Sequence, residues 1–133
     1  MMLVSRMLKD IRGGNPEAFL QKLEALFAKT SYQIQGNSEK DFQYAMYLIL
    51  ELMGEYVEVE KATSNGRMDI LLQTDKYVYI IEIKINDTVE AALRQIEDKG
   101  YARRFADDLR RQFKIGIRFS TDSRCIDAWK IAD

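Results

Sequence analysis

The stretch Tyr77-Val78-Tyr79-Ile80-Ile81-Glu82-Ile83-Lys84-Ile85 decides how the rest of the chain is read. Its β-branched and aromatic residues predict a strand. Side chains alternate faces along a strand, so Tyr77, Tyr79, Ile81, Ile83 and Ile85 share one side. Val78, Ile80, Glu82 and Lys84 share the other. That second face begins apolar and turns charged only at its end. A solvent-facing strand would be polar along its whole outer face, whereas here a carboxylate and an ammonium continue a hydrocarbon row. Burying such groups is costly unless they are paired or bind a metal.

The run before it, Gly66-Arg67-Met68-Asp69-Ile70-Leu71-Leu72, carries the same anomaly. Asp69 shares a face with Leu71, opposite Met68, Ile70 and Leu72. A hairpin through Thr74-Asp75-Lys76 joins strands over 67–73 and 77–85, and its register sets Asp69 against Ile80 or Glu82. In either register Asp69 and Glu82 project from neighbouring strands on a common face. Two carboxylates held close repel unless a cation lies between them. Mg²⁺ or Mn²⁺ held by Asp69, Glu82 and a peptide carbonyl such as that of Ile83 would leave positions for water and a phosphate oxygen. An ion there lowers the pKa of water and stabilises charge developing on a phosphate. Lys84 points into the same space, where it would orient the attacking water or neutralise the transition state.

Outward from this pair, the periodicity changes to helical on both sides. Asn15-Pro16-Glu17 supplies an N-cap, a proline at the first helical position and an acid in the first turn. Phe19, Leu20, Leu23, Leu26 and Phe27 then predict a helix over 16–29. Gly36-Asn37 breaks the chain. Ser38, with Asp41 three residues on, opens a second helix whose stripe is Phe42, Ala45, Met46, Ile49, Leu50 and Met53, closed by Gly54. Tyr56, Val57 and Val59 predict a strand ending near Lys61, and Ser64-Asn65-Gly66 a turn. Asp87-Thr88 caps a third helix with Val89, Ala92, Leu93 and Ile96 inward. Strands follow near 113–119 and 125–131. The order α, α, β, β, β, α, β, β predicts an α/β fold, a central mixed sheet flanked by helices. Residues 1–14, ending in Arg12-Gly13-Gly14, read as a flexible N-terminal segment, and 15–133 as the domain.

Composition narrows the chemistry. At 133 residues, 47% apolar and 31% charged, the chain suits one soluble domain. It has no run long enough to span a bilayer. The start, MMLVSRMLKD, lacks the pattern of a secretory signal. A single cysteine, Cys125, excludes an internal disulfide and points to a reducing cytoplasm. With no histidine, structural zinc and the usual triads are excluded, which leaves carboxylates, lysine and a hard cation. A net charge of −1 gives no global basic footprint, so a nucleic-acid partner would need a local patch.

The pattern Gly66-Arg67-Met68-Asp69, then Glu82-Ile83-Lys84, then a helix with Gln95, resembles the PD-(D/E)XK nuclease superfamily. More narrowly, it resembles the PD-(D/E)XK domains at the C-terminal end of bacterial proteins that carry an AAA-type ATPase-like module. The resemblance covers roughly residues 37–131 and includes Ala92-Leu93-Arg94-Gln95-Ile96, Tyr101, Ile115-Gly116-Ile117 and Trp129. It implies a restriction-endonuclease-like αβββαβ core in which Asp69 and Glu82 bind metal and Lys84 is catalytic. Glu39 matches an acid of the core's first helix, often a further metal or water ligand, and Gln95 a polar residue that completes the site. Met68 stands where the motif has proline, and Gln43 where relatives often have histidine. DNA is the implied substrate ahead of RNA, with a homodimer and an ATPase module as possible partners.

Plainer readings stand beside these. Glu39 in a first helical turn is favoured by the helix dipole in any case. Gln95 borders an apolar stripe. Arg67 reads as an ion-pair partner of a nearby carboxylate. Arg94, Lys99, Arg103, Arg104, Arg110 and Arg111, interleaved with Tyr101 and Phe105, read as a solvated face rather than a phosphate-tracking surface. Cys125 reads as a small buried residue and Trp129 as a core anchor. Two functions compete: a Mg²⁺-dependent phosphodiesterase, and a non-catalytic module of the same fold that binds nucleic acid or docks a partner ATPase. A toxin or defence component is a third, with no residue to single it out.

Overall fold

The computed structural model describes residues 2–30 and 38–132. The break expected at Gly36-Asn37 lies outside them. In chain order the described elements are α1 (Met2–Arg12), α2 (Pro16–Thr30), α3 (Ser38–Met53), β1 (Glu58–Ser64), β2 (Arg67–Gln73), β3 (Tyr77–Ile85), α4 (Val89–Lys99), α5 (Tyr101–Arg104), β4 (Arg111–Ser120) and β5 (Cys125–Ala132). The five strands form one sheet in the order β1-β2-β3-β4-β5. Neighbours are antiparallel except β3 and β4, which run parallel. A parallel pair needs a crossover, and α4 with α5 supplies it over one face of the sheet. The α/β fold with a mixed sheet is therefore as expected from sequence.

Two apolar layers follow from strand alternation. Met68, Ile70, Leu72, Tyr79, Ile81, Ile83, Ile115 and Ile117 meet α1, α2 and α3 in the main core. Leu71, Val78 and Ile80 meet Ile96 and Phe105 beneath α4 and α5. The capping expected at each end of the chain's middle is present. Asn15 Oδ1 accepts the Ala18 N–H at 3.2 Å, and Thr88 Oγ1 accepts that of Ala91 at 3.0 Å.

The N-terminal residues depart from the expectation of a flexible segment. They form α1, with Val4, Met7, Leu8 and Ile11 buried at helical spacing. The Ile11 carbonyl accepts the Tyr79 hydroxyl at 2.7 Å, tying the helix to the centre of the sheet. The glycine pair is a tight stop and not a linker: Gly14 has φ +71°, and a Cβ there would lie 2.3 Å from the Tyr77 ring. At the other edge, Tyr56 and Val57 lie in the turn after α3, and β1 begins two residues later than the apolar pattern indicated. β1 is a largely exposed edge strand, so apolar residues do not mark its limits.

One close approach matters for the site. Gly116 of β4 pairs with Glu82 of β3, and a Cβ on it would stand 2.7 Å from the Val89 carbonyl oxygen and 3.2 Å from the Ala92 side chain. The missing side chain lets α4 lie directly on the sheet. Gly116→Ala is expected to lower unfolding free energy by about 1–3 kcal/mol through overpacking. Urea denaturation checks this, and an unchanged midpoint would contradict so close a contact.

Candidate metal centre

The hairpin register places Asp69 directly opposite Glu82, which resolves the two alternatives left open by the sequence. Both project from the face that α4 covers, beyond the apolar row of Leu71, Val78 and Ile80. Glu82 is 1% exposed, so its carboxyl is out of water. Asp69 is nearly so, at 13% for its side chain. Taken as ionised carboxylate oxygens, Asp69 Oδ1 and Glu82 Oε2 are both buried and receive no donor from the described residues. Orphaned buried oxygens are rare in folded proteins and ask for an explanation.

Two residues of α4 reach this face from above. Gln95 Oε1 accepts from Lys84 Nζ at 3.2 Å, so the lysine at the end of β3 and the helix glutamine are brought together. Lys99, four residues after Gln95 and on the same side of the helix, forms an ion pair with Asp69 Oδ2. Its Nζ also lies 3.8 Å from Glu82 Oε1. From sequence Lys99 reads as part of a solvated face; the structure corrects that by laying it on Asp69. The i, i+4 spacing from Gln95 is the signal that could have found it. Of its neighbours in that run, Arg94 and Arg103 are exposed, and Arg104 pairs with Glu60 at 2.9 Å. Tyr101 and Phe105 pack into the layer under the helices and offer no stacking platform.

Glu39 is not brought to the pair. Its Oε2 accepts the Gly66 N–H at 3.0 Å. Gln43, one turn on, donates to the Ser64 carbonyl at 3.1 Å. Together these two residues of α3 fix the β1–β2 turn that leads into Arg67 and Asp69. No group of three or more Asp, Glu, His or Cys side chains that could hold a metal occurs among the described residues. One Glu39 oxygen is thus engaged at this turn. Ile83 sends its side chain into the main core, while its backbone lies in a strand paired on both sides. Arg67 donates from Nε to Ser64 Oγ at 3.0 Å. Cys125 is half-buried at the start of β5, not in the core, and Trp129 flanks the core with its Nε1 donating to Glu24 Oε1 at 2.8 Å.

Electrostatics separates the two carboxyls. Burial pushes Glu82 up, and the hydrogen-bonding and charge of Asp69 push it further, to about 8. Burial also acts to raise Asp69, but hydrogen bonds with Glu82 and Lys99 and the charges of Lys99 and Arg67 hold it below its ordinary value. Without metal, Glu82 therefore keeps a proton in the folded state at pH values where an unfolded chain has lost it. Its contribution to stability is complete below about 4.5 and is lost as pH rises through about 8. The metal-free protein is expected to grow less stable from pH 5 to pH 8 by about 2–4 kcal/mol at most, and Glu82→Gln to flatten that dependence. Denaturant melts in EDTA across this range provide the check.

The donor set fits a hard cation. Two carboxylates with one unpartnered oxygen each are what Mg²⁺ commonly takes from a protein, its other positions filled by water and substrate phosphate. A cavity of about 930 Å³ lies elsewhere, beside the Thr74-Asp75-Lys76 turn and lined also by Arg12, Tyr56 and Arg110. It lies at the other end of the hairpin from Arg67 and Lys84.

No helix among the described residues is long and apolar enough to cross a membrane. A relative described as an uncharacterized protein in the vnfD 5′ region of Azotobacter chroococcum mcd 1 is 32% identical over 127 residues, covering 90% of this chain. The chain spans 25% of that relative's length. No solved structure matches. The PD-(D/E)XK nuclease superfamily model matches residues 37–129, which contain Asp69, Glu82, Lys84 and Gln95 on the strands and helix described above, and the chain belongs to that superfamily.

Proposed function

We propose that this chain is a divalent-metal-dependent nuclease that hydrolyses phosphodiester bonds in DNA and, second in preference, RNA. The observation that carries the reading is the directly opposed, buried pair Asp69 and Glu82, each with an oxygen that, when both acids are ionised, receives no donor from the described residues. Asp69, Glu82 and the Ile83 carbonyl would hold Mg²⁺ or Mn²⁺. Such an ion supplies an acidified water and charge neutralisation at the phosphate. The chain's own part is to hold the remaining charge in place. Lys84, oriented by Gln95, presents an ammonium beside the pair where it stabilises negative charge on the phosphate oxygens. Glu39 acts at one remove, by fixing the turn ahead of Asp69. Nucleic acid is the substrate and partner, with an AAA-type ATPase module and a second copy of the chain as further partners, in a reducing cytoplasm.

The test is incubation of purified protein with supercoiled, linear duplex and single-stranded DNA and with RNA, in Mg²⁺, Mn²⁺ or EDTA, beside calorimetric metal titration. Metal-dependent strand cleavage is expected. A folded protein that cleaves none of these and binds neither ion would remove the reading. One observation favours a second reading, a non-catalytic nuclease-fold module that binds nucleic acid or docks an ATPase. Lys99 already neutralises Asp69, so the fold does not need a metal to stand. Salt-dependent DNA binding that survives Asp69→Ala, with no cleavage, would decide for it.

A further inference from the structure

The cation that the carboxylate pair holds in this structure is one of the protein's own. Lys99 Nζ is ion-paired to Asp69 Oδ2 and stands 3.8 Å from Glu82 Oε1. It thus lies against one oxygen of each acid, while the other two, Asp69 Oδ1 and Glu82 Oε2, receive no donor from the described residues when ionised. One ammonium balances the ionised Asp69, but it has too little charge and too few donors to serve both acids once they are ionised together. A divalent ion has twice the charge and binds several oxygens at about 2.0–2.1 Å. The two cations cannot share the space, because like charges at such separations repel strongly. Which one can move is set by the fold. Asp69 and Glu82 stand on strands paired along both edges. Lys99 is on a four-carbon stem, the last residue of α4, with its side chain 22% exposed.

We propose that Lys99 is a built-in counter-ion that stabilises the metal-free site and is displaced by the arriving divalent ion, so that it sets the metal concentration at which the site is armed. This rests on the reading of Asp69 and Glu82 as metal ligands. Removing the competing charge strengthens metal binding and weakens the metal-free protein. Retaining it holds the site closed to ions at low concentration.

The experiment is a Mn²⁺ titration by calorimetry of the full chain, Lys99→Gln and Lys99→Met, with melts in EDTA and at saturating Mn²⁺. Both variants are expected to bind Mn²⁺ on the order of ten- to a hundredfold more tightly. They should melt below the wild type in EDTA and recover most of the difference with Mn²⁺. A readout that needs no variant is lysine side-chain NMR of the wild type, where saturating Mg²⁺ should move the Lys99 Nζ signal to that of a solvated ammonium. Wild-type binding that is not tightened in the variants, or a Lys99 signal unmoved by Mg²⁺, overturns the proposal and leaves the metal reading intact. Binding by the variants alone supports it. No binding by any of the three proteins removes the metal reading, and this proposal with it.

Discussion

Asp69→Asn is expected to abolish detectable Mn²⁺ binding and to lower metal-dependent strand cleavage on the order of 10³-fold, equivalent to about 4 kcal/mol of transition-state stabilisation. The substitution keeps the size and shape of the side chain but removes a full negative charge from the carboxyl that is ion-paired with Lys99. Asn still accepts a hydrogen bond from Lys99, and β2 stays paired on both sides, so the fold should persist. Single-turnover cleavage at saturating Mg²⁺ checks the rate, calorimetry the binding, and circular dichroism the fold. Cleavage by Asp69→Asn at the wild-type rate would mean that the chemistry occurs elsewhere on the molecule.

Lys84→Ala should separate catalysis from metal binding. Lys84 is half-buried at the end of β3 and touches Gln95, not the carboxylates. Its loss takes away a preorganised positive group where charge develops, a change that costs about 10²–10³-fold in kcat for comparable donors. Mn²⁺ affinity should change by no more than a few-fold, and KM little, since the group acts on the transition state more than on the ground state. Pre-steady-state cleavage with a labelled duplex distinguishes these. A variant that lost metal binding as well would place Lys84 in the structural support of the pair instead.

The two variants test different parts of one surface. On the proposed reading Asp69 and Glu82 act through their position on the sheet, Lys84 through its contact with a helix. That contact depends on how near α4 lies to β4, which Gly116 permits. Loss of stability in Gly116→Ala and loss of rate in Lys84→Ala therefore share an origin in the spacing between helix and sheet, although the first residue touches no reacting group.

The alternation of 77–85 and 67–73 is a local property, and it determined the strands, the common face of Asp69, Glu82 and Lys84, and the α/β class of the fold. Capping at Asn15 and Thr88 is equally local, since each side chain meets a backbone group three residues away. What lay outside the reach of pattern was every contact made across elements. Strand period fixes a face but leaves the register open by steps of two, and the sheet as a whole set Asp69 against Glu82. The α1 stripe is legible as a helix, but its docking under Tyr79 is a long-range contact, and the glycines after it suggested a linker. Lys99 looks like any exposed lysine on α4 until the helix is laid on the sheet, where it meets Asp69, 30 residues away. Nor does the first turn of α3 show that a Glu39 oxygen accepts the Gly66 N–H, 27 residues away. Period and capping are settled within a few residues of backbone; charge pairing is settled by which surfaces come to within about 4 Å, and only the packed molecule decides that.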